Sequence, residues 1–326
     1  MRLVFVLASM WLFMVQAEAR CDDRELVIRL GLAPQSETPA RQSALKSLQS
    51  AINSELQGRA CLQVILDDKL FASALSVTAL QSGSVDMTLP SFSELAAVAG
   101  DYRVFDLPFA FRDVRAVQRF LTLAGNRMSE SLVRFDVTLA AIWNGHFDQI
   151  SAKRPVVLPA DMAGLKVRTQ PSSSVSQMID LLDGIEQSVN REQLAAAIKD
   201  GRIDAQVTDW VTLMGNNTAQ MHKGVTQTNH TYRGHVLLAS RTWWVGLDAN
   251  LKKSLSELIS RISKQANFDA DQRQVNAKRT IIRSGVPVRG LTQQQRKDWI
   301  TTMKPIWDAY ENRHLLQLVV QADKAL

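Results

Sequence analysis

ALQSGSVDMTL (residues 79–89) closes a helical pattern at Gly83 and passes at once into a short apolar run. AIKDGRIDAQV (residues 197–207) repeats the arrangement, with Gly201 standing 118 residues after Gly83. Glycine is the residue that most readily takes the left-handed conformation ending a helix, so each copy reads as helix, terminator and buried strand. Taken alone, the repeat says only that a helix stops and a strand starts. Taken with its surroundings, it describes two similar α/β lobes facing each other.

Outward from the first copy, LVIRLGLA (residues 26–33) is a strand, and Leu45, Leu48, Ile52 and Leu56 fall at helical spacing before Gly58. LQVIL (62–66) is the second strand and VDMTL (85–89) the third, with a helix between them. The alternation βαβαβ is the grammar of a parallel α/β sheet. Around the second copy, LKVRT (165–169) is a strand, residues 174–182 are a helix, and Asn190 with Gln193 gives a capping-box-like start to the helix ending at Asp200. Residues 248–284 contain neither Pro nor Gly and carry Leu251, Leu255, Leu258, Ile259 and Ile262 at helical spacing. One helix of that length reaches roughly 55 Å, enough to brace both lobes unless it breaks near residues 267–271. Thr292 with Gln295 starts a further capped helix. In open α/β sheets ligands sit beyond the carboxyl ends of strands, here residues 90–93, including Ser91 and Phe92, and residues 208–210, including Thr208 and Asp209.

The chain has 326 residues, 46% hydrophobic and 21% charged, which excludes collagenous, low-complexity and disordered classes. Its net charge of +6 is scattered, with no basic run interleaved with aromatics, so nucleic acid is not an expected partner. Residues 1–19, MRLVFVLASMWLFMVQAEA, have the cation, short apolar run and small-residue end of a secretory signal, predicting cleavage near Ala19 and export to an oxidising compartment. Export makes the only two cysteines, Cys21 and Cys61, disulfide partners near the starts of two parallel strands.

No phosphate-binding glycine loop, dinucleotide fingerprint, nucleophile elbow or zincin helix is present. His222, His230 and His235 are close in sequence, but their spacings do not repeat on a helix face, so local polar roles outrank a metal, and neither metal nor cofactor is expected. Asp67 and Asp68 read as a solvated turn. Trp143, Trp210, Trp243 and Trp244 read as core by default. Arg168 is the sharpest residue: a guanidinium inside an apolar strand needs either a protein acid or a bound anion, and both readings stand.

VFDLPFAFRD (104–113), KRPVVLPADMAGLKVRT (153–169), GRIDAQV (201–207) and TQTNHTYRGHVLLASRTWWVGL (226–247) together resemble the C4-dicarboxylate-type solute-binding proteins of TRAP transporters. The resemblance runs from about Leu26 to Tyr310. It implies a two-lobed periplasmic-binding-protein architecture with a ligand cleft between lobes and a long bracing helix. It further implies cleft closure on a small organic carboxylate, delivery to TRAP membrane permease subunits, and a carboxylate clamp at Arg168. By the same resemblance, Gln35, Ser36, Asn144 and Phe147 join Ser91, Phe92, Thr208 and Asp209 as cleft residues. The segments implied are signal 1–19, mainly first lobe 20–140, mainly second lobe 141–240, and 241–326 as crossing strand, long helix and C-terminal helices on both lobes.

Two family positions differ. Relatives carry a second arginine shortly after an Asn-Gly pair, whereas Asn144-Gly145 is followed by His146, Phe147 and Asp148. The asparagine expected two residues after the family glutamine is absent after Gln206. A monoacid or zwitterion is therefore expected over a dicarboxylate, with Lys69 or Arg191 as the alternative second clamp. A sensor subunit presenting the same ligand is the competing reading, and a periplasmic hydrolase a weaker one for want of a recognisable nucleophile and base.

Overall fold

A computed structural model describes residues 21, 25–33, 39–71, 75–169 and 173–324. The expected signal, Gln35 and Ser36 lie outside the described residues. Among those described, no helix is long and apolar enough to cross a membrane.

Five strands, β1 (Leu26–Leu32), β2 (Ala60–Leu66), β3 (Met87–Thr88), β4 (Val137–Phe147) and β10 (Tyr232–Ser240), form one sheet in the order β2-β1-β3-β10-β4. Six more, β5 (Gln149–Ala152), β6 (Lys166–Arg168), β7 (Ile185–Gln187), β8 (Ala205–Thr208), β9 (Val225–Gln227) and β11 (Val288–Gly290), form a second in the order β11-β9-β5-β8-β6-β7. The helices are α1 (Pro39–Glu55), α2 (Asp68–Phe71), α3 (Leu75–Gln81), α4 (Phe92–Ala96), α5 (Val114–Val133), α6 (Ser173–Leu181) and α7 (Leu194–Lys199) in the first two-thirds of the chain. They continue with α8 (Trp210–Gly215), α9 (Arg241–Gly246), α10 (Ala249–Arg283), α11 (Gln293–Thr302), α12 (Lys304–Asp308) and α13 (Arg313–Lys324).

The βαβαβ reading of the first half matches the sheet: β1 pairs in parallel with β2 and β3, and Cys61 lies opposite Val27. Cys21 and Cys61 are bonded, with their Cα atoms 5.5 Å apart. This clip closes a 40-residue loop. Cys61→Ser is expected to lower stability by about 2–4 kcal/mol, because the unfolded chain regains the freedom of that loop. Urea denaturation of the oxidised wild type and the variant measures it, and equal midpoints would dismiss the clip.

The glycine terminators behave as read, with φ of +68° at Gly83 and +67° at Gly201. The start proposed at Asn190 does not. Residues Arg191–Gln193 form a 3-10 turn without a side-chain cap, and Gln193 itself precedes α7. Thr292 and Gln295, by contrast, form a reciprocal capping box at α11, which stops at Thr302 rather than running on into α12.

Strand β10 pairs with β3 and β4, so it belongs to the first sheet, although it falls in the stretch assigned mainly to the second lobe. A single residue, Asp148, separates β4 of one sheet from β5 of the other, and residues 228–231 separate β9 from β10. These are two crossings between the sheets. At the first, an added Cβ on Gly145 would lie 1.3 Å from the Arg233 carbonyl oxygen, so only glycine permits β4 and β10 to approach there.

Helix α10 is unbroken through Asn267 and Asp271. Its first half buries Leu251, Leu255, Leu258 and Ile259 with Leu45, Leu48 and Ile52 of α1. Its far end buries Ala277 and Ile281 with Trp210, Leu213 and Val225 on the second sheet's side. Between these apolar ends, Ser263 accepts from Trp143 Nε1 at 2.8 Å and Asn267 Oδ1 from the Asn144 amide at 2.7 Å. One helix thus clamps both lobes and is polar where it passes the crossings.

Candidate functional site

The carboxyl ends of β6 and β8 and the two crossings converge. Arg168 ends β6 opposite Gln206 of β8. It is half-buried, and among the described residues its side chain makes one hydrogen bond, Nε to the Val189 carbonyl at 3.4 Å, and no ion pair. Burial lowers its pKa, the nearby Arg191 charge lowers it further, and Asp148 works the other way. A guanidinium in that setting is held ready for an anion.

Asp148 is 1% exposed at the first crossing. Its Oδ2 accepts from Arg233 Nε at 2.5 Å, and its amide donates to the Thr231 carbonyl at 2.9 Å. Burial opposes the Arg233 charge, but Asp148, Asp106 and Asp209 prevail and raise its pKa. His146 Nε2 lies 3.8 Å from both Asp148 Oδ1 and Asp209 Oδ2, outside hydrogen-bond range of either.

Asp209 caps α8: Oδ1 accepts from Val211 N, Thr212 N and Gln274 Nε2, and Oδ2 from Thr212 Oγ1 at 2.6 Å. Burial resists its ionisation, yet His146 and these donors outweigh it and lower the pKa. Thr208, at the end of β8, is fully buried with its hydroxyl unpartnered among the described residues. Asn144 joins β4 to α10 through Asn267 and, at 3.5 Å, Asp271. Phe147 packs on Tyr232 at 5.0 Å between ring centres.

Ser91 and Phe92 lie on the first sheet's side and meet this grouping through Tyr232, whose ring is 6.2 Å from that of Phe92 and 5.0 Å from that of Phe147. Ser91 caps α4 in a reciprocal box with Glu94, and Phe92 is 1% exposed, stacked on Phe105 at 3.8 Å. Phe92 is part of the core, and the half-buried Ser91 is held by its cap. The alternative clamp Lys69 is on the exposed face of α2, while Arg191, also exposed, is near enough to act on Arg168 electrostatically. Arg233 and His146 were not expected in the site, whereas His230 takes a local polar role beside Thr228. Arg233 sits in the apolar strand YRGHVLLAS, the same signal that singled out Arg168.

The histidines have local partners: His222 Nδ1 is 2.8 Å from Ser151 Oγ and His230 Nδ1 is 2.6 Å from Thr228 Oγ1. No group of three potential metal ligands occurs among the described residues. Ser151 and His222 are a serine–histidine pair, but Ser151 is completely buried.

The profile of the Bacterial extracellular solute-binding protein, family 7, matches residues 31–313. The C4-dicarboxylate-binding periplasmic protein DctP of Vibrio cholerae is 30% identical over 296 residues, covering 90% of this chain and 89% of that protein. A TRAP periplasmic solute-binding protein of Shewanella oneidensis with bound succinate superposes with a TM-score of 0.77 at 24% identity, covering 92% of this chain and all of that one. One from Pseudomonas aeruginosa with bound L-malate gives 0.71 at 25% identity, covering 87% of this chain and all of that one.

Proposed function

The chain belongs to bacterial extracellular solute-binding protein family 7, a family of receptors and not of enzymes, and from that premise we propose that it captures a small monocarboxylate or zwitterion for TRAP membrane permease subunits. The observation that carries the ligand class is Arg168, a half-buried cation at a strand end with no ion-pair partner among the described residues. Thr208 and Phe147 are its proposed neighbours in the cleft, with Asn144 and Asp209 holding the walls, and Gln35 and Ser36 are retained from the resemblance. Export follows cleavage near Ala19. The first lobe is built on the sheet of β1, and the second spans β5 to β9, with α10 bracing both.

Charge balance separates this reading from the dicarboxylates held by the neighbours. Arg168 and Arg233 are offset by Asp148 and Asp209, leaving only Arg191 at the rim as surplus. One ligand carboxylate is matched, and a second one, buried, finds no cation. Closure follows if the ligand contacts both lobes only when they meet around the crossings.

Arg168→Ala is expected to weaken carboxylate binding by about 10- to 150-fold, the loss of one charge-assisted contact. Titration calorimetry against monocarboxylates, amino acids and succinate reads it. Unchanged affinity in the variant would remove Arg168 from the site, and tight succinate binding by the wild type would sink the single-carboxylate reading.

A further inference from the structure

Asp148 at the first crossing and Asp209 capping α8 are two buried acids on either side of His146 Nε2, and their hydrogen bonding differs. Asp209 has both oxygens occupied, by two backbone amides, Gln274 and the Thr212 hydroxyl. Asp148 has one oxygen on Arg233, while its Oδ1 is buried and without a hydrogen-bond partner among the described residues. His146 Nε2 and Arg233 Nη2 are likewise buried and unpartnered there. A buried carboxylate oxygen without a donor costs far more than one with a donor, so the fold leaves here an acceptor suited to a group it does not itself supply. The gap of 3.8 Å between Asp148 Oδ1 and His146 Nε2 is too long for a direct bond and suits two N–H bonds from a single nitrogen when His146 is neutral with Nε2 as its unprotonated nitrogen.

Resting on the receptor reading above, we propose that the solute carries an ammonium group, received by Asp148 Oδ1 together with His146 Nε2, while its carboxylate meets Arg168. The ligand class narrows to small amino acids. Local charge supports a cation over a hydroxyl. The open acceptor is a buried carboxylate oxygen, and a charge-assisted bond to it is roughly twice as strong as a neutral one.

The test is a thermal-shift and calorimetry panel of the twenty L-amino acids, their 2-hydroxy-acid counterparts, and succinate and malate. The expected result is that the tightest ligand is an amino acid and its 2-hydroxy counterpart binds at least tenfold more weakly. Asp148→Asn should cut that preference to near unity. The paired variant Asp148→Asn/Arg233→Gln keeps hydrogen-bonding shapes without a lone buried charge, and should lose the preference equally if the single variant folds poorly. A tightest ligand without an amine, or a preference surviving in the folded variant, overturns the ammonium site while the carboxylate receptor stands. No binding by any carboxylate in the panel overturns the receptor reading and the ammonium site with it.

Discussion

Replacing Arg233 with alanine is expected to lower the free energy of unfolding by about 3–5 kcal/mol, the cost of leaving a buried charge without its partner. Asp148 is 1% exposed, and its ion pair is the Arg233 Nε contact at 2.5 Å. Asp106 and Asp209 also lean on the same guanidinium electrostatically. One truncation therefore strands Asp148 and takes a counter-charge from two further acids. The paired neutral variant Asp148→Asn/Arg233→Gln should cost much less, because no lone charge remains and an amide-to-amide contact can form. Urea unfolding of both variants decides it. If Arg233→Ala costs under about 1 kcal/mol, the crossing is wetter or more adaptable than the static burial implies.

That pair also marks where sequence reading stopped. Arg168 was legible because a guanidinium in an apolar strand needs an explanation. Arg233 presents the same anomaly in YRGHVLLAS, but its answer lies 85 residues away at Asp148, and no local pattern joins them. Local signals read well: the glycine terminators, the Thr292 box and the parallel strands beside the cysteine pair all depend on neighbours within a few residues or on one crossover. Where two local rules competed, the nearer one won. Ser91 lies at a strand end, but Ser91-Phe92-Ser93-Glu94 also spells a capping box, and Glu94 takes the Ser91 amide and hydroxyl. At Asn190 the converse holds. The spacing to Gln193 is right for a box, but the chain enters through a 3-10 turn, whose tighter winding leaves Asn190 with no side-chain cap bond. The unbroken course of α10 was open in sequence because its middle, near residues 267–271, is polar. The structure accounts for that polarity, since Asn267 and Asp271 face Asn144 at the crossing rather than a break.

Acid should destabilise the protein steeply between pH 6.5 and 4. Burial holds His222 and His230 neutral, lowering each pKa from 6.5 to about 4, with nearby Asp204 and Asp148 only partly offsetting it. His235 is pushed well below 6.5, again by burial first and then by the Arg41 and His146 charges. Over this window the unfolded chain binds protons that the folded chain refuses, so stability is intact above the unfolded value and drains away as pH falls toward the folded one. Each histidine contributes a slope of up to about 1.4 kcal/mol per pH unit, on the order of 3 kcal/mol by pH 4. Asp106 and Asp271 act in the opposite sense, since burial raises their pKa values and the folded state takes up protons with falling pH. Two carboxyls recover part of what the histidines lose. Asp204 and Asp209 have lowered values, so their contribution is lost only below the ordinary carboxylate range. The net slope is set by the histidines. Urea midpoints at pH 7, 6, 5 and 4.5 should fall progressively, and His230→Gln, which keeps a polar partner for Thr228, should flatten the curve. Constant stability down to pH 4.5 would mean that these imidazoles take up protons inside the fold, through water entering at the crossings.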